Sequence, residues 1–236
     1  GDIDSLEVLR CFNETMKLPL DDVRGPDGEP LLFPAVENGQ LESVKYLIND
    51  KVPVEMQDEF GWNAAMKAIG RCSKCLEELL NKNNLVAEER LPEGCNRGPR
   101  RFQSDRCKTN YTLVHFAAQK NDVNSMNILK QHNVDFNAID KKGFNPVHVA
   151  VTYNSMNALS RLGTFHVSFN APDKRGRTPA HLACQYVATN ITQYLDIILR
   201  FGGPLSLVAG DKQNRTPAHI CASEDNEERR PRPEGL

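Results

Sequence analysis

The 236-residue chain lacks the sequence features of a membrane-spanning protein, of a secreted protein and of a strongly basic binding protein. No apolar run approaches the ~18–20 residues that a membrane span needs, so no transmembrane helix is predicted. The first residues, Gly1 to Leu6, include neither a basic segment nor an apolar one, so no signal peptide is predicted. The net charge is only −2, which argues against a general nucleic-acid or membrane-surface binder, because such proteins usually carry a basic excess.

The chain also lacks the short motifs of common enzymes. It has no glycine-rich phosphate loop with a lysine and no Gly-x-Ser-x-Gly nucleophile elbow. It has no His-Glu-x-x-His zinc motif and no dinucleotide-binding fingerprint. We therefore expect no enzyme, no cofactor and no small-molecule substrate.

Seven cysteines are an odd number in a chain that is too long to depend on disulfides for its stability. This favours free thiols and a reducing compartment, so an intracellular, cytoplasmic protein is predicted, with the nucleus as the alternative. Cys72 and Cys75 have the spacing of zinc ligands, and Cys95 and Cys107 follow them, so a structural zinc site is one alternative to free thiols. A disulfide is the other alternative.

Four of the six histidines share one local context that recurs along the chain. His115, His148, His181 and His219 each lie three residues after a threonine or an asparagine, and successive histidines are 33, 33 and 38 residues apart. Three of the four follow a charged turn of the type Asp-Lys-Lys-Gly, Asp-Lys-Arg-Gly or Asp-Lys-Gln-Asn. A multi-residue pattern that recurs at a fixed period is the signature of a repeat architecture.

The pattern resembles the ankyrin repeat, in which a turn, a first helix that opens with Thr-Pro-Leu-His and an antiparallel second helix recur every 33 residues. Two weaker copies lie upstream, one opening at Pro30 and one at Asn63, where Met66 replaces the histidine. The resemblance implies an all-α ankyrin-repeat solenoid of helix-turn-helix units with projecting β-hairpin fingers. It also implies that the repeated histidines are structural hydrogen-bonding residues at the junction between loop and helix.

Each repeat carries residues suited to its predicted place. Thr178 and Thr216 are predicted to cap first helices, because threonine is a good N-cap and the proline after it suits the first helical position. Small residues follow and let neighbouring helices approach closely. Cys184 and Cys221 occupy two of these small positions and are predicted to be packing residues.

The repeat pattern assigns residues 1–222 to a single ankyrin-repeat domain that consists of a half repeat, five full repeats and a truncated last repeat. The spacing places 16 extra residues between the second and third full repeats. They predict an inserted loop at about 84–109, which contains prolines, glycines and several arginines. The charged tail 223–236 is predicted to be disordered or a linker.

The balanced net charge hides an uneven distribution. Residues 1–82 carry a net charge of −7 and residues 109–222 carry +5, whereas 83–108 and 223–236 carry +2 and −2. Two interpretations stay open: ordinary solvated turns, or a groove with an acidic, aromatic end and a basic end that orients an asymmetric partner.

A solenoid of this family implies a non-enzymatic scaffold or adaptor that binds a partner protein through its concave finger and helix face. Aromatic anchors dominate many interfaces, basic finger residues select an acidic partner surface, and arginines of the inserted loop can fold onto the same partner. The predicted partner-binding residues are Phe60, Trp62, Lys141, Lys142, Phe144, Arg175, Arg177, Arg215, Arg97, Arg100 and Arg101.

Two alternatives remain at the level of sequence. The incomplete repeats at both ends suggest the regulatory ankyrin segment of a larger enzyme or ion channel, which the full-length reading frame would reveal. The arginines of the loop and the fingers also suggest contact with nucleic acid or anionic lipid, although the net charge argues against it.

Overall fold

A computed structural model of the chain describes residues 24–25, 28–58, 61–83, 110–187 and 190–223. The half repeat predicted before residue 24, the inserted loop 84–109 and the tail after Ser223 therefore lie outside the described residues. The described ranges form short helices: α1 Leu32–Glu37, α2 Leu41–Asn49, α3 Ala64–Ala68, α4 Ser73–Lys82, α5 Leu113–Gln119, α6 Val123–Gln131, α7 Pro146–Thr152, α8 Met156–Thr164, α9 Pro179–Tyr186, α10 Ile191–Gly202, α11 Leu205–Val208 and α12 Pro217–Ala222.

The helices pack in two layers. The first helices of successive repeats, α1, α3, α5, α7, α9 and α12, lie side by side in one layer. The second helices, α2, α4, α6, α8 and α10, form the other layer, and each packs on the first helix of its own repeat. No repeat covers its apolar face alone, so each one is stabilised by its neighbours. The predicted all-α solenoid is confirmed, and within the described residues there is no β-sheet.

The fingers are tight turns rather than extended hairpins. We call residues 140–144, 173–177 and 211–215 fingers 4, 5 and 6, after the repeats that they precede. In finger 4 the N–H of Asp140 donates to the carbonyl oxygen of Phe144 at 2.9 Å, and the N–H of Gly143 donates to the carbonyl oxygen of Asp140 at 3.0 Å. Fingers 5 and 6 repeat both bonds, which gives the three fingers one conformation.

The repeated histidines join each repeat to the next. In repeat 3, Nδ1 of His115 accepts the N–H of Thr112 at 3.2 Å, and Nε2 donates to the carbonyl oxygen of Phe144 in finger 4 at 3.0 Å. A neutral imidazole with its proton on Nε2 satisfies both bonds. His148 and His181 repeat this arrangement, with Nε2 3.2 Å and 2.8 Å from carbonyl oxygens of fingers 5 and 6. We call this arrangement the histidine clasp, and it confirms the structural interpretation of His115, His148 and His181.

Four cysteines correct the prediction of free thiols. Cys72 and Cys75 form a disulfide at the start of α4. Cys184 and Cys221 form another, which joins α9 to α12. The zinc alternative is wrong for Cys72 and Cys75, because their sulfurs are bonded to each other, whereas Cys95 and Cys107 lie outside the described residues.

Among the described residues, none of the helices combines the length and the apolar character needed to cross a bilayer.

Candidate protein-interaction surface

A cleft of about 210 Å³ opens along α3 in the first-helix layer, between α1 and α5. Its apolar lining comes from repeats 2 and 3, and its charged lining comes from repeats 1, 2 and 3. We call it the Trp62 cleft, and its lining residues are Glu37, Trp62, Met66, Lys67, Ile69, Arg71, Phe116 and Lys120.

The Trp62 ring contacts two neighbouring side chains. Its centroid lies 4.9 Å from that of Phe116, and the Lys67 Nζ lies 5.7 Å from its centroid. The Trp62 backbone N–H donates to Oδ1 of Asp58 at 2.9 Å. Lys67 is itself fixed by Glu37, at 3.2 Å, and by Asp58, at 3.7 Å. Trp62 is therefore a half-buried wall of the cleft in a defined orientation.

The basic rim of the cleft is built on the turn after α3. Gly70 has a φ of +76°, and its N–H donates to Oδ2 of Asp122 in repeat 3 at 2.8 Å. A Cβ at residue 70 would lie 3.4 Å from the Cβ of Lys120, so the Lys120 side chain packs closely over the glycine. Arg71 donates from Nη1 to the carbonyl oxygen of Glu37 at 3.4 Å. The turn thus links repeat 2 to both neighbours and places Arg71 and Lys120 at the rim.

A second group of basic side chains lies on the fingers. We call Lys142, Lys174, Arg175 and Lys212 the finger ladder; all four are exposed. Successive fingers are bonded to each other, because the N–H of Lys174 donates to the carbonyl oxygen of Lys142 at 2.9 Å, and that of Lys212 donates to the carbonyl oxygen of Arg175 at 3.0 Å. These bonds bring the charged residues of three repeats into one row.

The aspartates of the same fingers face inward. Asp140, Asp173 and Asp211 are buried, and Oδ1 of each accepts two backbone N–H groups of its own finger at 2.7–2.9 Å. Burial raises the pKa of Asp140. Burial also acts to raise the pKa of Asp211, but its bonds to Arg215 and to backbone N–H groups outweigh this and lower it. The negative charge of the fingers is thus directed away from the exposed row.

Two predicted partner-binding residues are corrected by their burial. Phe144 is 7% exposed and stacks on His148, with ring centroids 5.2 Å apart. Arg177 is 8% exposed, and its Nη2 lies 2.8 Å from Oδ2 of Asp173. Both residues follow the finger aspartate by four positions, and the Arg177 guanidinium lies 5.8 Å from the centroid of the Phe144 ring. Neither side chain is available for direct contact with a partner.

The other predicted residues differ in their accessibility. Lys142 and Arg175 are exposed, and Lys141 is partly exposed. Arg215 pairs with Asp211 at 2.8 Å while half of its side chain remains accessible. Phe60 and the loop arginines Arg97, Arg100 and Arg101 lie outside the described residues.

The predicted set omitted Lys67, Arg71 and Lys120. Arg71 and Lys120 lie on opposite sides of the inserted loop in the sequence, and only the stacking of repeats 2 and 3 brings them to one cleft. Gly70, after the first helix α3, indicates a turn in the sequence, but it does not indicate that Arg71 lies beside a cleft.

Comparisons with known proteins agree with this architecture. The family model described as ankyrin repeats (3 copies) matches residues 2–90. The crystal structure of the ankyrin repeat domain of Bcl-3, described as a unique member of the IkappaB protein family, is similar over 97% of this chain and 93% of that chain, with a TM-score of 0.74 and 20% sequence identity. No curated protein sequence matches significantly. The repeated motif, the two-layer stack of helices and these matches together show that the chain has the ankyrin-repeat fold.

Proposed function

We propose that the chain is a non-enzymatic adaptor module that holds an acidic partner protein on its finger and first-helix face. Ankyrin repeats generally mediate protein–protein interaction. The observation that carries the proposal is the sorting of charge within fingers 4, 5 and 6, where aspartates are buried and the finger ladder is exposed.

The sorting of charge matters because the finger carboxylates are buried, so they present no negative charge to a partner beside the exposed finger ladder. Asp173 uses Oδ1 for the N–H groups of Arg175 and Arg177 and Oδ2 for the Arg177 guanidinium. What a partner meets across these fingers is a row of lysines and arginines. Complementary charge of this kind steers association and rejects basic competitors, and its effect weakens as salt screens it.

Additional contacts are proposed outside the finger ladder. Trp62, in the first-helix layer, offers an aromatic surface of the kind that dominates interface energies. Lys141 and Arg215 flank the ladder. Phe60 and the loop arginines Arg97, Arg100 and Arg101 are further proposed contacts, and they follow from the sequence alone.

Affinity capture from the native cells, followed by mass spectrometry, tests the proposal when three proteins are compared as baits. The finger variant carries Lys142→Glu, Arg175→Glu and Lys212→Glu. The control variant carries Lys74→Glu, Lys130→Glu and Arg200→Glu, which reverse the same number of exposed charges on the second helices α4, α6 and α10. We expect the wild type and the control to retain a partner that the finger variant loses. Retention of the same proteins by all three baits would contradict the proposal.

A further inference from the structure

We infer that the Trp62 cleft binds a short partner segment that carries one bulky apolar side chain beside carboxylates. The inference rests on the proposed function and deepens it, because it states which kind of segment the first-helix layer accepts. Neither the motif nor the net charge of residues 1–82 indicates this preference.

The apolar lining and the size of the cleft favour one side chain rather than a cofactor. Trp62 forms the wall, and Met66, Ile69 and Phe116 lie beneath it. The volume of about 210 Å³ is below the roughly 300 Å³ at which pockets for drug-sized ligands begin. A flat aromatic wall of this kind favours stacking with a ring or contact with a branched aliphatic group.

The charged lining favours an acidic segment. Among the lining residues that the structure describes, three of the four charged ones are basic, and Glu37, the acidic one, lies 3.2 Å from Lys67. Arg71 and Lys120 add two exposed cationic side chains to the rim. A basic segment would meet like charge there, whereas carboxylates beside the apolar anchor would pair with the rim.

The rim is organised before any partner arrives. The bond from the Gly70 N–H to Asp122 and the bond from Arg71 to the carbonyl oxygen of Glu37 fix the turn after α3, on which Arg71 lies. Groups that are ordered in the free protein lose less conformational entropy on binding. Two of the basic lining residues, Lys67 and Arg71, lie within residues 1–82, which carry a net charge of −7 overall.

Tryptophan fluorescence gives a local readout, because Trp62 is the one tryptophan of the chain. The purified protein is titrated with the capped pentapeptide Glu-Glu-Phe-Glu-Glu, and the emission of Trp62 is recorded. Glu-Glu-Gly-Glu-Glu keeps the charge without the anchor, and Lys-Lys-Phe-Lys-Lys keeps the anchor with the opposite charge. We expect a saturable change in emission with the first peptide only.

Variants separate the cleft from the finger ladder. Arg71→Glu combined with Lys120→Glu should weaken the response to Glu-Glu-Phe-Glu-Glu by about tenfold or more, because two favourable charges become repulsive. The finger variant should stay within about twofold of the wild type, because distant sites act additively. Circular dichroism checks that each variant is folded.

Three outcomes would overturn the inference. In the first, calorimetry detects binding of the phenylalanine peptide without a change in Trp62 emission, and the finger variant abolishes that binding; the proposed function then stands while the cleft is excluded. In the second, the glycine or lysine peptide gives the same emission change as the phenylalanine peptide. In the third, no peptide binds, and the capture comparison decides the proposed function separately.

Discussion

The repeated histidine is the residue on which the joint between repeats depends, because its two ring nitrogens bond different repeats. His148 is fully buried, and burial lowers its pKa from 6.5 to about 4. Its bond to the carbonyl oxygen of Arg177 opposes this shift without cancelling it. The folded protein therefore holds a neutral imidazole over a pH range in which the unfolded chain is protonated.

Stability should fall with acid because of His148. Between pH 6.5 and pH 4 the unfolded state binds more protons at this residue, so the free energy of unfolding decreases as the pH is lowered. From pH 8 to pH 5 the loss from this group amounts to about 2 kcal/mol. Urea unfolding at both pH values, on the wild type and on His148→Gln, measures it. His148→Gln is less stable at pH 8, but its free energy of unfolding should fall by about 2 kcal/mol less than that of the wild type on acidification. Equal decreases in the two proteins would contradict the lowered pKa of His148.

Two finger aspartates at equivalent positions should respond differently to the same substitution. Asp173 pairs through Oδ2 with the buried Arg177, so Asp173→Asn leaves that guanidinium without its carboxylate and should cost about 3 kcal/mol. Asp140 has Phe144 in place of the arginine, and no described group donates to its buried Oδ2. Its raised pKa means that its ionised form destabilises the fold at neutral pH. Asp140→Asn should therefore stay within about 1 kcal/mol of the wild type or be more stable.

Thermal or urea unfolding at pH 7 compares these two variants. Equal destabilisation by Asp140→Asn and Asp173→Asn would show that the ion pair between Asp173 and Arg177 does not stabilise finger 5.

The fingers are elements that stack on each other through backbone contacts. Gly143 has a φ of +81°, and a Cβ at this position would lie 2.8 Å from the backbone N of Lys174 in finger 5. That N–H donates to the carbonyl oxygen of Lys142, so the clash falls on the bond that joins the two fingers. Glycine is required here by conformation and by space.

Gly143→Ala should therefore destabilise the protein by about 2–3 kcal/mol, from backbone strain and from the clash together. Gly39→Ala is the matched control, because Gly39 also has a positive φ, +67°, but nothing lies within 4 Å of its Cβ position. The control should cost only about 1 kcal/mol, from strain alone. Urea unfolding decides, and equal costs at the two positions would mean that the stacking of the fingers is unimportant.

Much of this element structure could be predicted from the sequence, and the exceptions have physical reasons. The 33-residue period, the N-cap threonines and the glycines of fingers 4 and 5 are local signals, so the first helices and the histidine clasps lie where the motif predicts. Burial of Phe144 and Arg177 could not be predicted, because it depends on how each of these side chains packs in the folded finger. The disulfide between Cys184 and Cys221 depends on how closely two repeats approach.

The joint between repeats 2 and 3 differs from the joints that follow it. Met66 stands at the position of the clasp histidine, and its side chain has no N–H group with which to bond the next finger. In its place, the contact of Trp62 with Phe116 and the bond from Gly70 to Asp122 join the two repeats. The Trp62 cleft lies along this joint, so the candidate site is found where Met66 replaces the histidine of the motif.

At the scale of the whole molecule, the described residues gather basic side chains in two regions of a chain that has almost no net charge. The Trp62 cleft in repeats 1 to 3 and the finger ladder in fingers 4 to 6 both present more basic than acidic side chains. Counting charges along the sequence misses this, because several acidic residues are used inside turns and ion pairs. If the proposed function holds, an acidic partner that extends along the stack would contact both regions.

The most direct test of the central claim is the affinity of the purified protein for a fluorescein-labelled chain of twelve glutamates, measured by fluorescence anisotropy at increasing salt. The wild type and the control variant should bind with similar affinity that falls as salt rises. The finger variant should bind about tenfold more weakly or worse, because three attractive contacts become repulsive. Equal affinity of all three proteins, or binding that is insensitive to salt, would contradict the claim that the exposed row of finger cations selects an acidic partner.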